Sequence, residues 1–176
     1  MAASTYTGAG NVTAADVRYV KWEGKTKGGQ AVTIELEKAF CRSNPEWTFE
    51  EKNDVTPEVE FEGMYSDEKL ATGDRTEPWK LTLADGITAG NGEILLGVGR
   101  FYVGATKEDA KAVGLTRGGG SFVVEREYRE INADDDPGLV EGRVEKTSGR
   151  PKLKLTALQW LTKVSDLYAC VTPVTA

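Results

Sequence analysis

Short segments in which apolar and polar residues alternate run through most of this chain. In residues 32–37, valine, isoleucine and leucine alternate with threonine and two glutamates, and in 58–62 glutamate occupies every second position. A period of two places alternate side chains on opposite faces of a strand, and strands with one buried face are typical of antiparallel sheets. The pattern predicts strands over 32–37, 47–50, 58–62, 79–83 and 152–156, and two less regular strands over 94–103 and 122–131.

Helical spacing of apolar residues is found near the end of the chain. It predicts a helix over residues 159–170 with one apolar face. The apolar stripe comprises Trp160, Val164, Leu167, Tyr168 and Val171. A threonine followed three residues later by an acid, as in Thr106 and Asp109, is typical of a helix N-terminus and predicts a second, short helix through Val113. The expected fold class is mainly β: a two-sheet antiparallel β-sandwich or barrel with one main flanking α-helix.

The composition narrows the class of function. The 176 residues include 28 acidic and 22 basic residues, for a net charge of −6, and no histidine. One domain is expected at this length. Without histidine, Ser-His-Asp and Cys-His catalysis and zinc sites that need imidazole are excluded. No apolar run approaches the length of a membrane span, and the net acidity argues against a protein that grips DNA, because phosphate binding needs clustered lysine and arginine.

The candidate chemistry that remains is weak. Asp134, Asp135 and Asp136 lack the alternate spacing of a calcium loop and predict a solvated turn. Carboxylate pairs are unavoidable among 28 acids, and no single acid is marked out by an aromatic environment. Cys41 and Cys170 are too few for a disulfide framework and are expected to be buried thiols. We therefore expect no enzyme, metal or cofactor. The first residues lack a signal-peptide pattern, which predicts synthesis in the cytoplasm.

Glutamates are concentrated on the outer faces of two predicted strands. Glu35 and Glu37 lie on one strand, and Glu58, Glu60 and Glu62 lie on the other. Like charges that face each other across strands are destabilising. Two interpretations are open: an ordinary solvated surface, or a face past which a polyanion moves without being held.

Two sets of motifs resemble one protein family. The first set comprises residues 92–104 (GEILLGVGRFYVG), the glycine turn 113–119 (VGLTRGG), the segment 123–131 and a long loop that ends at 151–155 (PKLKL). In this order they resemble the N-terminal half of the major tail tube proteins of long-tailed (siphovirus-type) bacteriophages. The earlier part of the chain resembles the C-terminal half of the same family. Its matching segments are 16–19, 28–29, 32–36, 47–54, 59–65 and 78–81.

The two halves stand in the reverse of the family's order. Residues 14–83 resemble the C-terminal half and 92–171 the N-terminal half, with 84–91 as the segment that joins them. Reading from residue 176 into residue 2 restores the family's order. The resemblance predicts a single tail-tube-like domain over 1–176 that is circularly permuted, either by engineering or in a natural lineage. Permutation succeeds where chain ends are close and joins lie in exposed turns.

The resemblance implies a structural, non-enzymatic role. Tail tube subunits form hexameric rings that stack into a hollow conduit for DNA, in the virion tail after synthesis in the host cytoplasm. The implied partners are further copies of the chain, other tail proteins such as the tape measure and the tail terminator, and DNA that passes without tight binding; no membrane is implied. The loop 132–150 corresponds to the family's ring-stacking loop. Its charged candidate contacts are Asp134, Asp135, Asp136, Arg143, Lys146 and Arg150.

The resemblance also places four strands around the lumen of such a tube. By alternation, their non-core faces carry seven acidic and three basic residues, a balance of −4 per subunit. The predicted lumen residues are Glu35, Glu37, Glu58, Glu60, Glu62, Glu125, Glu127, Arg129, Lys152 and Lys154. A negative bore repels DNA and releases no counterions from it, so DNA would pass rather than be retained.

Two other classes of protein fit the same observations. A tube subunit of a type VI secretion system shares the ring-forming architecture and passes protein effectors, but the long loop and the glycine turn favour the phage family. A monomeric β-module that decorates a virion or mediates adhesion would form neither rings nor tubes. Negative-stain microscopy therefore separates the monomeric module from both kinds of tube subunit.

Overall fold

Nine strands and two short α-helices form the part of the chain that the structure, a computed structural model, describes. That part comprises residues 5–49, 51, 54–87, 95–131, 140–158 and 164–174. The strands are β1 (Thr5–Gly8), β2 (Val17–Thr26), β3 (Ala31–Cys41), β4 (Glu58–Gly63), β5 (Lys80–Leu83), β6 (Leu95–Gly104), β7 (Lys111–Glu130), β8 (Val144–Ala157) and β9 (Val171–Val174). The helices are α1 (Asp67–Ala71) and α2 (Val164–Leu167), and a 3₁₀ turn spans Ala14–Asp16.

Six of the strands close into an antiparallel barrel. They neighbour one another in the order β2-β6-β7-β8-β4-β3, and β3 pairs again with β2. The other edge of β3 is shared, because β4 pairs with residues 39–41 and β5 pairs with residues 32–35. Closure pairs the edges that an open sheet would leave free. The predicted fold class, mainly β with antiparallel sheets and few helices, is confirmed.

The barrel interior is filled by residues that alternation assigns to the inner face. Val59 and Phe61 of β4 lie directly opposite Leu155 and Leu153 of β8, and all four side chains are buried. Each such burial contributes about 1.5–3 kcal/mol. Three buried residues of the predicted helical stripe belong to the same core: Val164 and Leu167 of α2, and Tyr168 just after it. In the described part of the chain, no helix is both long and apolar enough to cross a membrane.

Trp22 of β2 occupies interior space that two glycines leave open. Gly24 of β2 and Gly99 of β6 are directly opposite each other, and the indole ring lies across both. A Cβ atom added to Gly24 would lie within 3.0 Å of three atoms of the ring. Glycine in a strand often marks such a close approach, and here it makes room for the largest side chain of the core.

The predicted helix over 106–113 is wrong. The Thr106 hydroxyl does accept a hydrogen bond from the Asp109 backbone N–H, at 3.3 Å, but this cap closes a turn rather than a helix. β7 begins at Lys111, where the backbone pairs with β6. Pairing with β6 satisfies the backbone groups that a helix would have used. The glycine turn 113–119 lies instead inside β7, next to an irregularity in its pairing with β8 between Thr116 and Gly120.

Two further predictions near the helix are corrected. The predicted strand over 47–50 does not form in the described residues 47–49, where Phe49 is largely exposed and Trp47 packs its ring edge-on against Tyr168. Of the helix predicted over 159–170, α2 supplies Val164–Leu167, residues 168–170 form a turn, and 159–163 lie outside the described residues. Cys41 is buried as expected, but Cys170 lies in that turn and is partly exposed.

The predicted loop over 132–150 is in large part a continuation of the sheet. From Glu125, opposite Arg150, to Glu130, opposite Val144, β7 and β8 pair with each other and with no other described strand. We call residues 125–131 and 140–150 the arm. The residues that join its two strands include 132–139, which lie outside the described residues. Alternation of apolar residues is lost in the arm because neither of its faces lies over the barrel core.

The two ends of the described chain pair with each other. Thr5 of β1 lies opposite Val174 of β9 in a two-stranded antiparallel ribbon separate from the barrel. The Cys170 backbone N–H donates to the Asp16 carboxylate, at 2.7 Å, and fixes the ribbon to the start of β2. Residues 84–87, the described part of the predicted join, form an exposed turn after β5, in which Gly86 has a positive φ of 83°. Residues 88–91 of the predicted join lie outside the described residues.

Candidate functional site

Strands β7, β8, β4 and β3, the four strands predicted to surround a lumen, are consecutive neighbours in the barrel. On β4 and β8 the buried residues alternate with charged residues on the outer face. Glu60 lies directly opposite Lys154, and Glu62 lies directly opposite Lys152. On the next strand, Glu125 lies opposite Arg150. The structure therefore brings together most of the predicted lumen residues on one outer surface.

Ion pairs run across this surface between strands. The Lys154 ammonium lies 2.7 Å from the Glu58 carboxylate, and the Lys152 ammonium lies 2.8 Å from the Glu125 carboxylate. A third pair joins Arg42, just after β3, to Glu62 at 2.6 Å. The hydrogen bond from Lys152 lowers the pKa of the Glu125 carboxyl, and the bond to Glu58 raises the pKa of Lys154. Every lysine on this surface is thus engaged by a carboxylate.

The surface is charge-balanced, unlike the predicted lumen with its balance of −4. We call it the β4–β8 face; it comprises four acids and four bases, namely Glu58, Glu60, Glu62, Glu125, Arg42, Arg150, Lys152 and Lys154. Two of its bases were missing from the predicted set. Arg150 continues the alternation of Lys152 and Lys154, so the sequence could have revealed it. Arg42 lies beyond the predicted end of its strand and gives no such signal.

Glu35 and Glu37 lie apart from the β4–β8 face. β5 pairs with β3 beside Glu35, whereas β4 reaches only residues 39–41 of β3. The Glu35 carboxylate is buried, accepts a hydrogen bond from the Tyr19 hydroxyl and lies 2.8 Å from the Lys107 ammonium. Burial opposes its ionisation, but these two hydrogen bonds outweigh burial and lower the pKa of Glu35. Glu37 instead forms an ion pair with Lys69 of α1, at 2.7 Å.

The predicted ring-stacking residues do not share one surface. Arg150 belongs to the β4–β8 face, Lys146 lies on the opposite face of the arm, and Arg143 precedes β8 in an exposed turn. Asp134, Asp135 and Asp136 lie outside the described residues. Of the predicted lumen residues, Glu127 and Arg129 lie out on the arm, where Arg129 forms an exposed ion pair with Glu145.

A carboxylate that sequence reasoning missed fixes the base of the arm. Glu77, just before β5, accepts hydrogen bonds from Arg126 of β7 and contacts Lys146 of β8 at 2.9 Å. The hydrogen bond from Arg126, opposed by burial and supported by Lys146 and Trp79, holds the pKa of the Glu77 carboxyl far below its usual range. The partners are 49 and 69 residues away along the chain, so no local pattern reveals the cluster.

Exposed apolar residues and free strand edges occur together on the arm and at β5. Tyr128, Ile131 and Val144 of the arm are each about half exposed, as are Leu81 and Leu83 of β5. β5 pairs only with β3 among the described strands. Exposed strand edges are templates for pairing with another chain, and proteins that remain monomeric protect them.

Cavities lie beside both of these surfaces. One of about 840 Å³ covers part of the β4–β8 face, beneath residues 42–48 and 54–57. A second, of about 660 Å³, surrounds Glu35 and Glu37. Within the described ranges, no three or more carboxylates and thiols come together as metal ligands. Burial raises the pKa of the Cys41 thiol to about 11, which leaves it protonated at neutral pH.

Comparison with family models, with curated proteins and with solved structures finds no match to this chain.

Proposed function

We propose that this chain is a structural subunit of a phage tail tube, which assembles into hexameric rings that stack into a hollow conduit for DNA. The observation that carries the proposal is the arm. Its strands leave the barrel as a two-stranded hairpin whose two edges pair with no other described strand, and it carries exposed apolar side chains. An isolated hairpin of this kind is marginally stable in water, so a second copy is the natural surface against which to bury it.

The position of β5 supports a ring. β5 adds one edge strand to the outside of the β3 edge, and its other edge is free among the described strands. Contact between this edge and a different surface of the next copy is heterologous, and heterologous contacts close into rings when the rotation permits. The arm and the β5 edge then supply two distinct contacts, one between rings and one within a ring.

The β4–β8 face supports passage of DNA without retention. Its lysines and Arg42 are held by carboxylates, so a phosphate must displace an existing partner before it can bind. DNA releases its counterions when lysine or arginine side chains neutralise its phosphates, and side chains already paired with carboxylates are not free to do so. Weak interaction therefore follows from ion pairing across strands, rather than from the strong negative charge that the sequence predicts.

The geometry of the chain ends supports the permuted order of the two halves. The pairing of Thr5 with Val174 places the described ends of the chain side by side, and the join at 84–87 is an exposed turn. Both are conditions that circular permutation needs. In the proposed assembly the other partners are the tape measure and tail terminator proteins, and the place of action is the virion tail.

The test is assembly of the purified chain, followed by light scattering and negative-stain microscopy over a range of protein concentrations. We expect six-fold rings and stacked tubes. In the matched variant, an Asn-Gly turn replaces residues 130–144; because Arg129 and Glu145 are direct strand partners, a two-residue turn preserves their register. This variant should fold normally and lose stacking. A wild-type chain that stays monomeric at the highest concentration overturns the proposal and favours a decoration or adhesion module.

A further inference from the structure

The Glu77 cluster connects three parts of the fold that the proposed assembly uses. Glu77 lies three residues before β5, and its carboxylate contacts both strands of the arm through Arg126 and Lys146. The cluster therefore links the base of the arm to the segment that leads into β5.

Both oxygens of the Glu77 carboxylate are engaged. Arg126 donates from Nε to Oε1 at 2.8 Å and from Nη2 to Oε2 at 2.9 Å, which is the paired geometry of a strong guanidinium–carboxylate contact. Lys146 Nζ reaches Oε1 at 2.9 Å, and the Trp79 indole N–H donates to Oε2 at 2.7 Å. The side chain of Glu77 is only 9% exposed, so water screens these contacts little.

Packing around the carboxylate leaves the arm little freedom to tilt. A Cβ atom added to Gly149 of β8 would lie 2.5 Å from Glu77 Oε1, so the backbone of the arm rests directly on the carboxylate. On the other strand, the ring of Phe122 packs against Trp79 with centroids 5.4 Å apart. Residues 77–79 therefore contact both β7 and β8, and the chain continues from them directly into β5.

We infer that Glu77 is a positioning residue that sets the direction of the arm relative to the β5 edge. This inference rests on the proposed function where it concerns subunit contacts. A ring and a stack formed by the same subunit require a fixed angle between the two contacting surfaces. The bidentate contact supplies that angle, because a planar guanidinium opposite a planar carboxylate fixes orientation as well as distance.

The matched control is present on the same hairpin. Glu145 pairs with Arg129 at 2.6 Å, and both side chains are more than half exposed. Glu77→Gln and Glu145→Gln each remove one carboxylate charge opposite an arginine of β7. An exposed pair contributes little to structure, whereas a largely buried carboxylate with four donors restrains its neighbours.

The experiment measures the direction of the arm in the unassembled chain. Spin labels are placed at Thr82→Cys of β5 and Glu130→Cys of the arm, in a Cys170→Ser background that leaves only the buried Cys41. Pulsed electron resonance then gives the distribution of label distances. Glu77→Gln should widen this distribution about twofold, and Glu145→Gln should leave it unchanged. A purely stabilising role for Glu77 would lower the urea midpoint without widening the distribution.

Three outcomes decide the inference. An unchanged width in Glu77→Gln, or equal widening in Glu145→Gln, overturns it. If Glu77→Gln does not fold, Arg126→Gln removes the bidentate partner, keeps Lys146, and should widen the distribution by itself. In assembly, Glu77→Gln should raise the concentration of half-assembly about tenfold. Assembly at the wild-type concentration despite a widened arm also overturns it, whereas a wild-type chain that never assembles refutes the proposed function alone.

Discussion

Replacing Gly24 with alanine perturbs the interior of the barrel beside Trp22. The structure predicts the sign of the change in unfolding free energy both in the wild type and in a Trp22→Ala variant. The three heavy atoms nearest to an added Cβ all belong to the ring of Trp22. In the wild-type background the ring must move, and overpacking of this kind costs about 1–3 kcal/mol. Trp22→Ala removes the obstacle at a cost of about 3–5 kcal/mol for the cavity it leaves.

In the Trp22→Ala background, the expected effect of Gly24→Ala reverses. The methyl group then enters the cavity, and alanine is favoured over glycine within a strand by about 0.5–1 kcal/mol. Gly99→Ala is the comparison. Its Cβ would lie 2.6 Å from the backbone oxygen of Glu23 as well as against the ring, so its cost should persist after the tryptophan is removed.

The assay is urea unfolding of the single and double variants, compared as two double-mutant cycles. We expect a coupling of at least about 1 kcal/mol between positions 22 and 24, and a smaller coupling between positions 22 and 99. If Gly24→Ala and Trp22→Ala are additive within about 0.5 kcal/mol, the ring does not lie across Gly24 and this account of the core is wrong.

Three further predictions concern charge and reactivity. Lysine at all three glutamates of β4 changes the charge by +6 per subunit; assembled tubes should then retain DNA against nuclease, with a salt slope of about −0.9 per phosphate contacted, and unchanged retention would contradict the lumen assignment. The fold lowers the pKa of Glu35, so the ionised carboxylate stabilises the folded state. This stabilisation is fully present at pH values above the ordinary pKa of 4.5, and it is lost as the pH falls through the lowered pKa of the folded state. In Glu35→Gln, the free energy of unfolding should therefore depend less on pH in the acid range. At neutral pH it should be lower than in the wild type by about 1–3 kcal/mol. At pH 8, Ellman's reagent should titrate one thiol per folded chain, Cys170, because Cys41 is buried with a raised pKa; two fast thiols would contradict its burial.

Alternation predicted several strands that bury one face, but it did not predict β2, whose inner face is also buried. β4 and the central part of β8 were predicted closely, since Val59, Phe61, Leu153 and Leu155 all face the core. The same rule failed at two places where burial on one face is absent, although it did predict β5, whose residues are all exposed. Residues 144–150 form a strand with no apolar period, because the arm has no core beneath it, and residues 47–49 alternate but are not assigned to a strand in the described part of the chain.

The candidate surfaces depended on contacts that are distant in sequence. Alternation placed Glu58, Glu60 and Glu62 on an outer face, and the structure keeps them there. It could not show that Arg42 would neutralise one of them, nor that Glu35 would be covered by the 105–110 turn. The net charge of a surface depends on residues that are neighbours in space. Counting charged residues along predicted strands therefore gives the sign of that charge only when the neighbouring strands are known.

The ribbon of β1 and β9 has a mechanical consequence. Thr5 and Val174 are direct strand partners, so a force that separates them acts along the backbone hydrogen bonds of the ribbon. In this unzipping geometry the hydrogen bonds break one after another, whereas in a shear geometry they would all be loaded at the same time. Any segment that continues the chain past either end therefore transmits tension to the ribbon first. The closed barrel carries load only after all four residue pairs of the ribbon have separated.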